Sequence, residues 1–342
     1  MSSPSIIYLV TRTHGRRTHL LPHESLKAIS RSRSLPEIVD HLLRSDYAVN
    51  ISRIPSEELD SVRLEKIFSE MLVERLFTVT KDARGGVKEF LEAYSARIEV
   101  ENLKRILRAK HAQEEIEEDD LIPLRREHTL VNFQALTKAE NVEEAVSLLR
   151  ETVYASITNK LDSYRRLGSS IVLESYLDNV YFNRLWEGME RLPGVTGVRR
   201  LVGEEVDLRN ILLILTLKRR EIPSRLAEEM AIPIFYRLSR NVVKSLFQKE
   251  LIDALEALSG TVYRPVAQEL LKSREPTSSI ETVASKHLYN DASSALNDMF
   301  LELGYVIAYM LLCEREARSL TTVTTALDLG VPEASLQERL LF

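Results

Sequence analysis

The side chains of this sequence that could carry acid–base chemistry recur three times, in the same order and at nearly the same spacing. Each of three tyrosines is followed by a carboxylic acid after 52 or 53 residues. A positioned tyrosine and a carboxylate can act as an acid and a base. A catalytic centre is rarely built three times with every copy intact, so we expect these residues to make structural contacts instead. In chain order they are Tyr47, Glu99, Tyr154, Asp207, Tyr263 and Glu316.

A small polar residue follows each of these acids by three positions. It is Asn102 in the first copy, Asn210 in the second and Ser319 in the third. The two asparagines stand in apolar segments, and a buried asparagine has to be hydrogen-bonded. Two interpretations stay open: a repeated bond that fixes helix packing, or a contact shared with a partner at the centre of an assembly.

Two further positions recur in only part of the pattern. A lysine stands eight positions beyond the asparagine at Lys110 and Lys218, whereas the third copy has Leu327 there. Prolines Pro123 and Pro233 form a weaker anchor, and the first copy has no proline at that offset. Because the third copy departs from the pattern, we predict that it has a different neighbour, either the chain terminus or a partner.

The anchors divide the chain into three copies of one unit about 108 residues long. A fixed period is the first feature to look for, because missing it leads to the wrong fold. A leucine also precedes each tyrosine by five residues. The sequence predicts units over residues 1–120, 121–230 and 231–342.

The composition favours helices throughout. Glycine and proline together number 22 of 342 residues, which is roughly half their usual share. Apolar residues fall on one helical face over 99–110 and almost all round over 207–218, so the second segment should be buried. Further helices are predicted over 62–80, 87–97, 170–191 and 280–312, where a break could divide the last one. We predict an all-α fold.

No motif for a cofactor, a metal or a nucleotide is present. The sequence lacks a Gly-x-x-x-x-Gly-Lys-Ser/Thr loop, a Gly-x-Gly-x-x-Gly turn and a His-Glu-x-x-His helix. His14, His19 and His23 cluster near the start, but Pro22 argues against a regular helix through the last two. The single cysteine, Cys313, stands in an apolar segment and is expected in the core. We expect no cofactor and no metal.

The charge and hydropathy of the chain limit its partners. The net charge of −5 lacks the basic excess of a nucleic-acid binder, so no nucleic-acid partner is expected. The clean apolar run over 303–313 is too short to span a bilayer, which needs about 20 residues, and no signal peptide is apparent over residues 1–10. Arg12, Arg16 and Arg17 form a small basic patch that would suit an acidic partner or lipid headgroups, or that is an ordinary exposed face.

Several segments carry a family resemblance. The opening YLVTRTHGRRTHLLPHESLKAISRSRSLPEIVDHLLRSDYAVNI resembles the start of the C subunit of archaeal A-type ATP synthases, whose family includes the d subunit of eukaryotic V-type ATPases. The resemblance continues through EAYSARIEVENLKRILRAK and EEVDLRNILLILTLK to ELGYVIAYMLLCEREARSLTTV and GVPEASLQERLL. It covers nearly the whole chain. The departures are Ser319 in place of asparagine and the missing lysine at Leu327.

The resemblance implies a non-catalytic part of the rotor. It implies a helical funnel with pseudo-threefold symmetry that caps the membrane proteolipid ring on the cytoplasmic side. The central cavity of the funnel would receive the lower end of the central axle. The protein would then be peripheral to the membrane and transmit torque between axle and ring. Proton or sodium coupling, and synthase or pump direction, stay open.

One alternative is a helical-repeat scaffold of another complex, with a groove for peptides. It would also explain the repeats and the missing catalytic motifs. A period of about 108 residues is long for a solenoid, in which repeats are usually 20–50 residues. An open superhelix would favour the scaffold, and a closed ring of three units would favour the rotor protein.

Overall fold

The computed structural model describes residues 4–125, 128–129, 131–272 and 280–341, and these residues form helices and no strands. The predicted all-α fold is confirmed. The first helices are α1 (Pro4–Arg17), α2 (His23–Ser30), α3 (Leu35–Leu42), α4 (Ala48–Ile51), α5 (Ser61–Asp82), α6 (Gly85–Ser95) and α7 (Arg97–Ala112). The middle helices are α8 (Phe133–Lys138), α9 (Val142–Ser147), α10 (Leu161–Leu167), α11 (Ile171–Glu190), α12 (Thr196–Arg219) and α13 (Ser224–Glu228). The last are α14 (Arg240–Gln248), α15 (Leu251–Ser259), α16 (Arg264–Lys272), α17 (Ile280–Asp298), α18 (Leu303–Asp328) and α19 (Glu333–Arg339). Short 3-10 turns cover Ser56–Glu58, Glu118–Asp120 and Ala155–Lys160.

Short capped helices lead into two of the three repeated tyrosines. Ser34 caps α3 and Asn141 caps α9, and each side chain accepts the backbone N–H of the third helical residue. Such a cap typically stabilises a helix by about 1 kcal/mol. The third helix of this kind, α15, begins after Glu250 without a side-chain cap. The caps therefore fix where the chain turns before Tyr47 and Tyr154.

The long helices form a closed circuit of contacts. Along the chain, α5 packs against α6, α11 against α12, and α17 against α18. Between these groups, α6 and α7 pack against α11, and α12 packs against α17. The last long helix, α18, packs extensively against the first, α5. In the described part of the chain, the contacts therefore lead from the first long helix through the others and back to the first.

Two of the long helices touch through their backbones at their first turns. A Cβ added at Gly304 would lie 3.0 Å from the Gly197 Cα, which is tighter than nine in ten real contacts of a Cβ atom. Glycine at both positions therefore lets the start of α12 meet the start of α18. This contact brings α12 and α18 together near the point where each helix begins.

The apolar run over 303–313 is the most deeply buried part of the molecule. Leu303 through Cys313 are each at most 4% exposed except Gly304, which is also buried. The predicted break in the segment over 280–312 is confirmed, since α17 ends at Asp298 and α18 begins at Leu303. Burial raises the pKa of the Cys313 thiol to about 12, as expected for a core cysteine. Among the described residues, no helix is both long enough and apolar enough to cross a bilayer.

Candidate functional site

The three repeated tyrosines each donate a hydrogen bond to one of the three repeated acids. All three tyrosines are 1% exposed. Each of the later tyrosines binds the acid that precedes it in the chain, and the first tyrosine binds the last acid. The O–O distances are 2.9 Å for Tyr47–Glu316, 2.7 Å for Tyr154–Glu99 and 2.9 Å for Tyr263–Asp207. Each of these three bonds connects one predicted unit to another.

The acids also hold the chain segments that lead towards the tyrosines. Asp207 accepts the backbone N–H groups of Arg237 and Leu238 at 2.7 and 3.0 Å. Glu316 accepts the N–H of Leu21 at 2.5 Å, and Glu99 accepts the hydroxyl of Thr129. Each carboxylate is thus occupied by at least two donors. The arrangement holds a backbone segment and a tyrosine side chain against the same carboxylate.

Burial and the neighbouring carboxylates keep the tyrosines protonated. Loss of solvent raises the pKa of Tyr154 and of Tyr263 far above the ordinary value for tyrosine, and the acid beside each raises it further. The pKa of Tyr47 is raised for the same reasons, although the nearby Arg75 acts in the opposite direction. A tyrosine that stays protonated is a permanent hydrogen-bond donor, as a clamp requires.

The two asparagines make identical paired bonds. Asn102 donates to the Ile122 carbonyl at 2.8 Å and accepts the Ile122 N–H at 2.9 Å. Asn210 does the same with Ile232, at 3.0 and 2.9 Å. Ile122 and Ile232 directly precede the anchor prolines Pro123 and Pro233. The bonds fix backbone next to the long helices, as in the packing interpretation of these residues.

The third copy is built differently at the same place. Among the described residues, the buried Ser319 hydroxyl has no hydrogen-bond partner. Leu21, which precedes Pro22, is instead held by Glu316. The Leu-Leu-Pro of residues 20–22 resembles the Leu-Ile-Pro of residues 121–123, but it stands five or six residues closer to its tyrosine. A repeat search that tolerated such a shift would have found this third counterpart.

Each of the two repeated lysines donates a hydrogen bond near the end of a short helix, and the third copy again differs. Lys110 donates to the Thr137 carbonyl at 2.7 Å, near the end of α8. Lys218 donates to the Phe247 carbonyl at 2.9 Å, near the end of α14. In the third copy, which has leucine at this position, the terminal helix α19 packs against α18, and the Gln337 amide reaches the Ser30 hydroxyl at the end of α2 at 3.5 Å. The predicted contact of this copy with the chain terminus is confirmed.

An ionic cluster that the sequence patterns did not reveal joins the three long helices α7, α12 and α18. The guanidinium of Arg97 donates to Glu205 at 2.9 Å and to Glu314 at 2.8 Å. These three residues each stand two positions before a repeated acid, and all three side chains are mostly buried. Burial alone would raise the pKa of Glu314, but Arg97 lowers it below its usual range. We call this set the central triad.

The residues of the central triad stand at matched positions of the three copies, but their residue types differ. The matched positions carry one arginine and two glutamates, which look unrelated when the copies are compared for likeness. They become meaningful only if the three copies meet, because one cation can then neutralise two anions. The ring of Tyr94 lies 3.9 Å from the Arg97 guanidinium carbon and completes the packing around it.

Beyond the triad, each of the three helices has a partly exposed face at matched positions. These positions lie two, six and nine residues after the repeated acid, and all nine are at least partly exposed. We call them the open faces. They consist of Glu101, Arg105 and Arg108 on α7, Arg209, Leu213 and Thr216 on α12, and Arg318, Thr322 and Thr325 on α18.

A buried acid next to the triad should make folding stability depend on pH. Burial, with the neighbouring Asp291 carboxyl, raises the pKa of Glu204 from about 4.5 to about 8. An acid with a raised pKa in the folded state stabilises folding while it is protonated, and that contribution is lost as the pH rises from 4.5 to 8. We expect the melting temperature of Glu204→Gln, relative to wild type, to rise over this range. The exposed Glu187→Gln should track wild type, and a parallel course for Glu204→Gln would contradict the assignment.

Two of the three N-terminal arginines form ion pairs within the fold. The guanidinium groups of Arg12 and Arg16 both contact Asp82 at the end of α5, and Arg16 is largely buried. Arg17 is exposed. His14 stacks on the ring of Tyr305, with ring centres 4.0 Å apart. A contact of Arg12, Arg16 or Arg17 with a partner stays a prediction.

Comparison with known proteins gives this architecture a family. The profile of the ATP synthase (C/AC39) subunit family matches residues 9–339, and the chain belongs to that family. It is 25% identical to the A-type ATP synthase C subunit of Methanothermobacter thermautotrophicus, over 97% of this chain and 87% of that protein. The equivalent C subunit of Methanocaldococcus jannaschii is also 25% identical, over 92% and 81%. That of Pyrococcus horikoshii is 24% identical, over 94% and 86%.

Proposed function

We propose that this chain is the adaptor in the rotor of an A-type ATP synthase, where it joins the central axle to the membrane proteolipid ring. In this role it transmits torque during proton or sodium transport and carries out no catalysis itself. The observation that carries the proposal is the family membership together with the central triad and the open faces. A joint of this kind needs a rigid body with a site for a shaft.

The three predicted units supply the rigid body. Units over residues 1–120, 121–230 and 231–342 would surround one axis, and each of the three tyrosine–acid bonds would cross from one unit to another. The central triad would form the floor of a funnel, and the open faces would form its wall. Packed helices transmit strain because protein interiors are dense and hardly compressible. Torque on the wall would then reach the whole circuit of helices.

The proposed partners lie on opposite sides of this body. The lower end of the axle would enter the cavity between the open faces. The proteolipid ring would contact the other end, on the cytoplasmic side of the membrane, and hold the chain there as a peripheral protein. The choice between proton and sodium ions would be made in the ring.

The packing of α18 against α5 distinguishes this proposal from a peptide-binding scaffold. A solenoid scaffold has two free ends that need capping units. In this chain the last long helix covers the first, so we favour the rotor adaptor over the scaffold.

The proposal is tested by reconstitution with purified partners. The tagged chain is mixed at modest ionic strength with the axle subunits and, separately, with the detergent-solubilised proteolipid ring. We expect it to retain both. Thr322→Trp, on an open face, should lose the axle and keep the ring, whereas the exposed Arg150→Trp should keep both. If the wild-type chain binds neither the axle subunits nor the ring, the proposed function is refuted.

A further inference from the structure

Four exposed apolar side chains lie at the end of the molecule opposite the open faces. Two belong to α1 and two to the connection between α17 and α18. They are Ile7 (43% exposed), Tyr8 (54%), Phe300 (56%) and Leu301 (50%). Tyr8 and Phe300 are the two exposed aromatic side chains among the described residues. We call these four residues the apolar patch.

The direction of α1 brings its first turns to the connection between α17 and α18. His14 Nε2 lies 2.9 Å from the carbonyl oxygen of Phe300, just before α18 begins. Further along the chain, the Leu21 N–H binds Glu316, well inside α18. Helix α1 therefore runs in the same direction as α18, and its first turns extend towards the start of α18. Ile7 stands about two turns before His14, on the same face of α1.

The apolar patch and the open faces lie on opposite sides of the central triad. The open faces occupy the later turns of α7, α12 and α18. The patch lies before the first turn of α18, where the contact between Gly197 and Gly304 joins that helix to the start of α12. In the proposed function, this end of the molecule faces the membrane ring.

Basic side chains outnumber acids beside the apolar patch. Arg12 stands one turn after Tyr8 and is half-exposed, while the acid that it contacts, Asp82, is also bound by the largely buried Arg16. The residues on either side of this acid add two exposed bases, and one exposed acid follows the patch in the chain. The bases are Lys81 and Arg84, and the acid is Glu302. The surface around the patch therefore carries an excess of positive charge.

The opposite end of the molecule has exposed apolar residues in the reverse electrostatic setting. Val62 begins α5 and Leu329 follows α18, and they are 75% and 74% exposed. A hydrogen bond between the residues that precede them joins the two helix ends. The run over 114–120 carries six acids and reaches this end through Asp119, 3.2 Å from Lys66 on α5. Anionic lipid would repel this end.

We propose that the apolar patch enters the headgroup region of the membrane lipid, with Arg12, Lys81 and Arg84 directed at the lipid phosphates. Aromatic and aliphatic side chains flanked by arginine or lysine are typical of protein surfaces that lie in this region. The attraction of the bases for an anionic leaflet acts in the same direction. The inference goes beyond the proposed function, because the chain would bind the bilayer directly as well as through the proteolipid subunits.

The test is co-sedimentation of the purified full chain with vesicles of phosphatidylcholine and phosphatidylglycerol. Phe300→Ser combined with Leu301→Ser should weaken binding about tenfold or more, because neither position then gains from burial in lipid. Phe300→Trp should retain binding, since tryptophan suits the same region. Vesicles of phosphatidylcholine alone should bind the wild-type chain more weakly, and added salt should reduce the difference.

The matched control is Val62→Ser combined with Leu329→Ser. It removes two more exposed apolar side chains, but at the end with the acidic run, so vesicle binding should stay unchanged. Melting temperatures are measured alongside, and we expect both double variants to melt within a few degrees of wild type. If the patch variant proves unfolded, Lys81→Gln combined with Arg84→Gln decides. It should weaken binding to the mixed vesicles and leave binding to phosphatidylcholine unchanged.

The outcomes separate this inference from the proposed function. No binding of the wild-type chain to the mixed vesicles would overturn the inference, as would equal losses in the patch and control variants. If the patch variant loses the detergent-solubilised ring and the wild-type chain binds no vesicles, the patch contacts the proteolipid subunits instead of lipid. Vesicle binding by a chain that retains neither axle nor ring would support the inference and refute the adaptor.

Discussion

Replacing Arg97 with methionine should lower the free energy of unfolding by about 3–5 kcal/mol, the usual cost of removing one partner from a buried ion pair. The loss is large because Arg97 is the base of the central triad. Without it, Glu205 and Glu314 would face each other in the interior with no cation between them. The measurement is the midpoint of urea or thermal unfolding, followed by circular dichroism.

The control for this substitution lies on the same helix. Arg108 also contacts two carboxylates, but its side chain is 48% exposed against 11% for Arg97. Arg108→Met should therefore cost at most about 1 kcal/mol, as exposed ion pairs do. Adding Glu205→Gln and Glu314→Gln to Arg97→Met should restore part of the lost stability, since the unpaired charges are then removed. Equal effects of the two arginine substitutions would show that the triad does not hold the long helices together.

The second large effect is expected at Glu316, and it should exceed that of its counterpart Glu99. Glu316 accepts from Tyr47 and also neutralises Arg75, whose Nη1 lies 2.6 Å from the carboxylate. Both side chains of that ion pair are at most 9% exposed. Glu316→Gln would leave Arg75 as a buried cation without a counter-charge, at a cost of about 3–5 kcal/mol.

Glu99→Gln provides the comparison. Glu99 accepts hydroxyl groups from Tyr154 and Thr129 and, among the described residues, forms no ion pair with a buried base. A glutamine oxygen can still accept these bonds, so the cost should be nearer about 1 kcal/mol. The measurement is again the free energy of unfolding, with Tyr47→Phe and Tyr154→Phe to isolate the tyrosine contribution. Equal losses in the two glutamine variants would mean that Arg75 does not depend on Glu316.

Much of the architecture could be predicted from the sequence because local signals agree with the packing. The segment over 207–218 is apolar on nearly every side, and it lies in α12 with more than half of its residues buried. The pattern failed to show how far the long helices extend. Helix α12 begins already at Thr196. Its first part contains polar residues such as Glu204 and Glu205, which are buried against other helices. An apolar pattern therefore does not mark this part of the helix.

The partners of the repeated tyrosines could not be chosen from spacing. Tyr154 is 55 residues from Glu99 and 53 from Asp207, so the sequence separations are nearly equal. The structure selects the earlier acid because of the direction in which one group of helices packs on the next. That direction is a property of tertiary packing and leaves no trace in sequence distance. The central triad was missed for a related reason, since its charges complement one another only when the three copies meet.

The most direct test of the adaptor role is an electron cryo-microscopy map of the intact ATP synthase that contains this chain. We predict that the chain lies on the rotation axis between the axle and the membrane ring, with the open faces of α7, α12 and α18 surrounding the tip of the axle. The central triad should lie below that tip, on the side of the ring. Density for the chain away from the axis, or an axle that contacts the end opposite the open faces, would contradict the account.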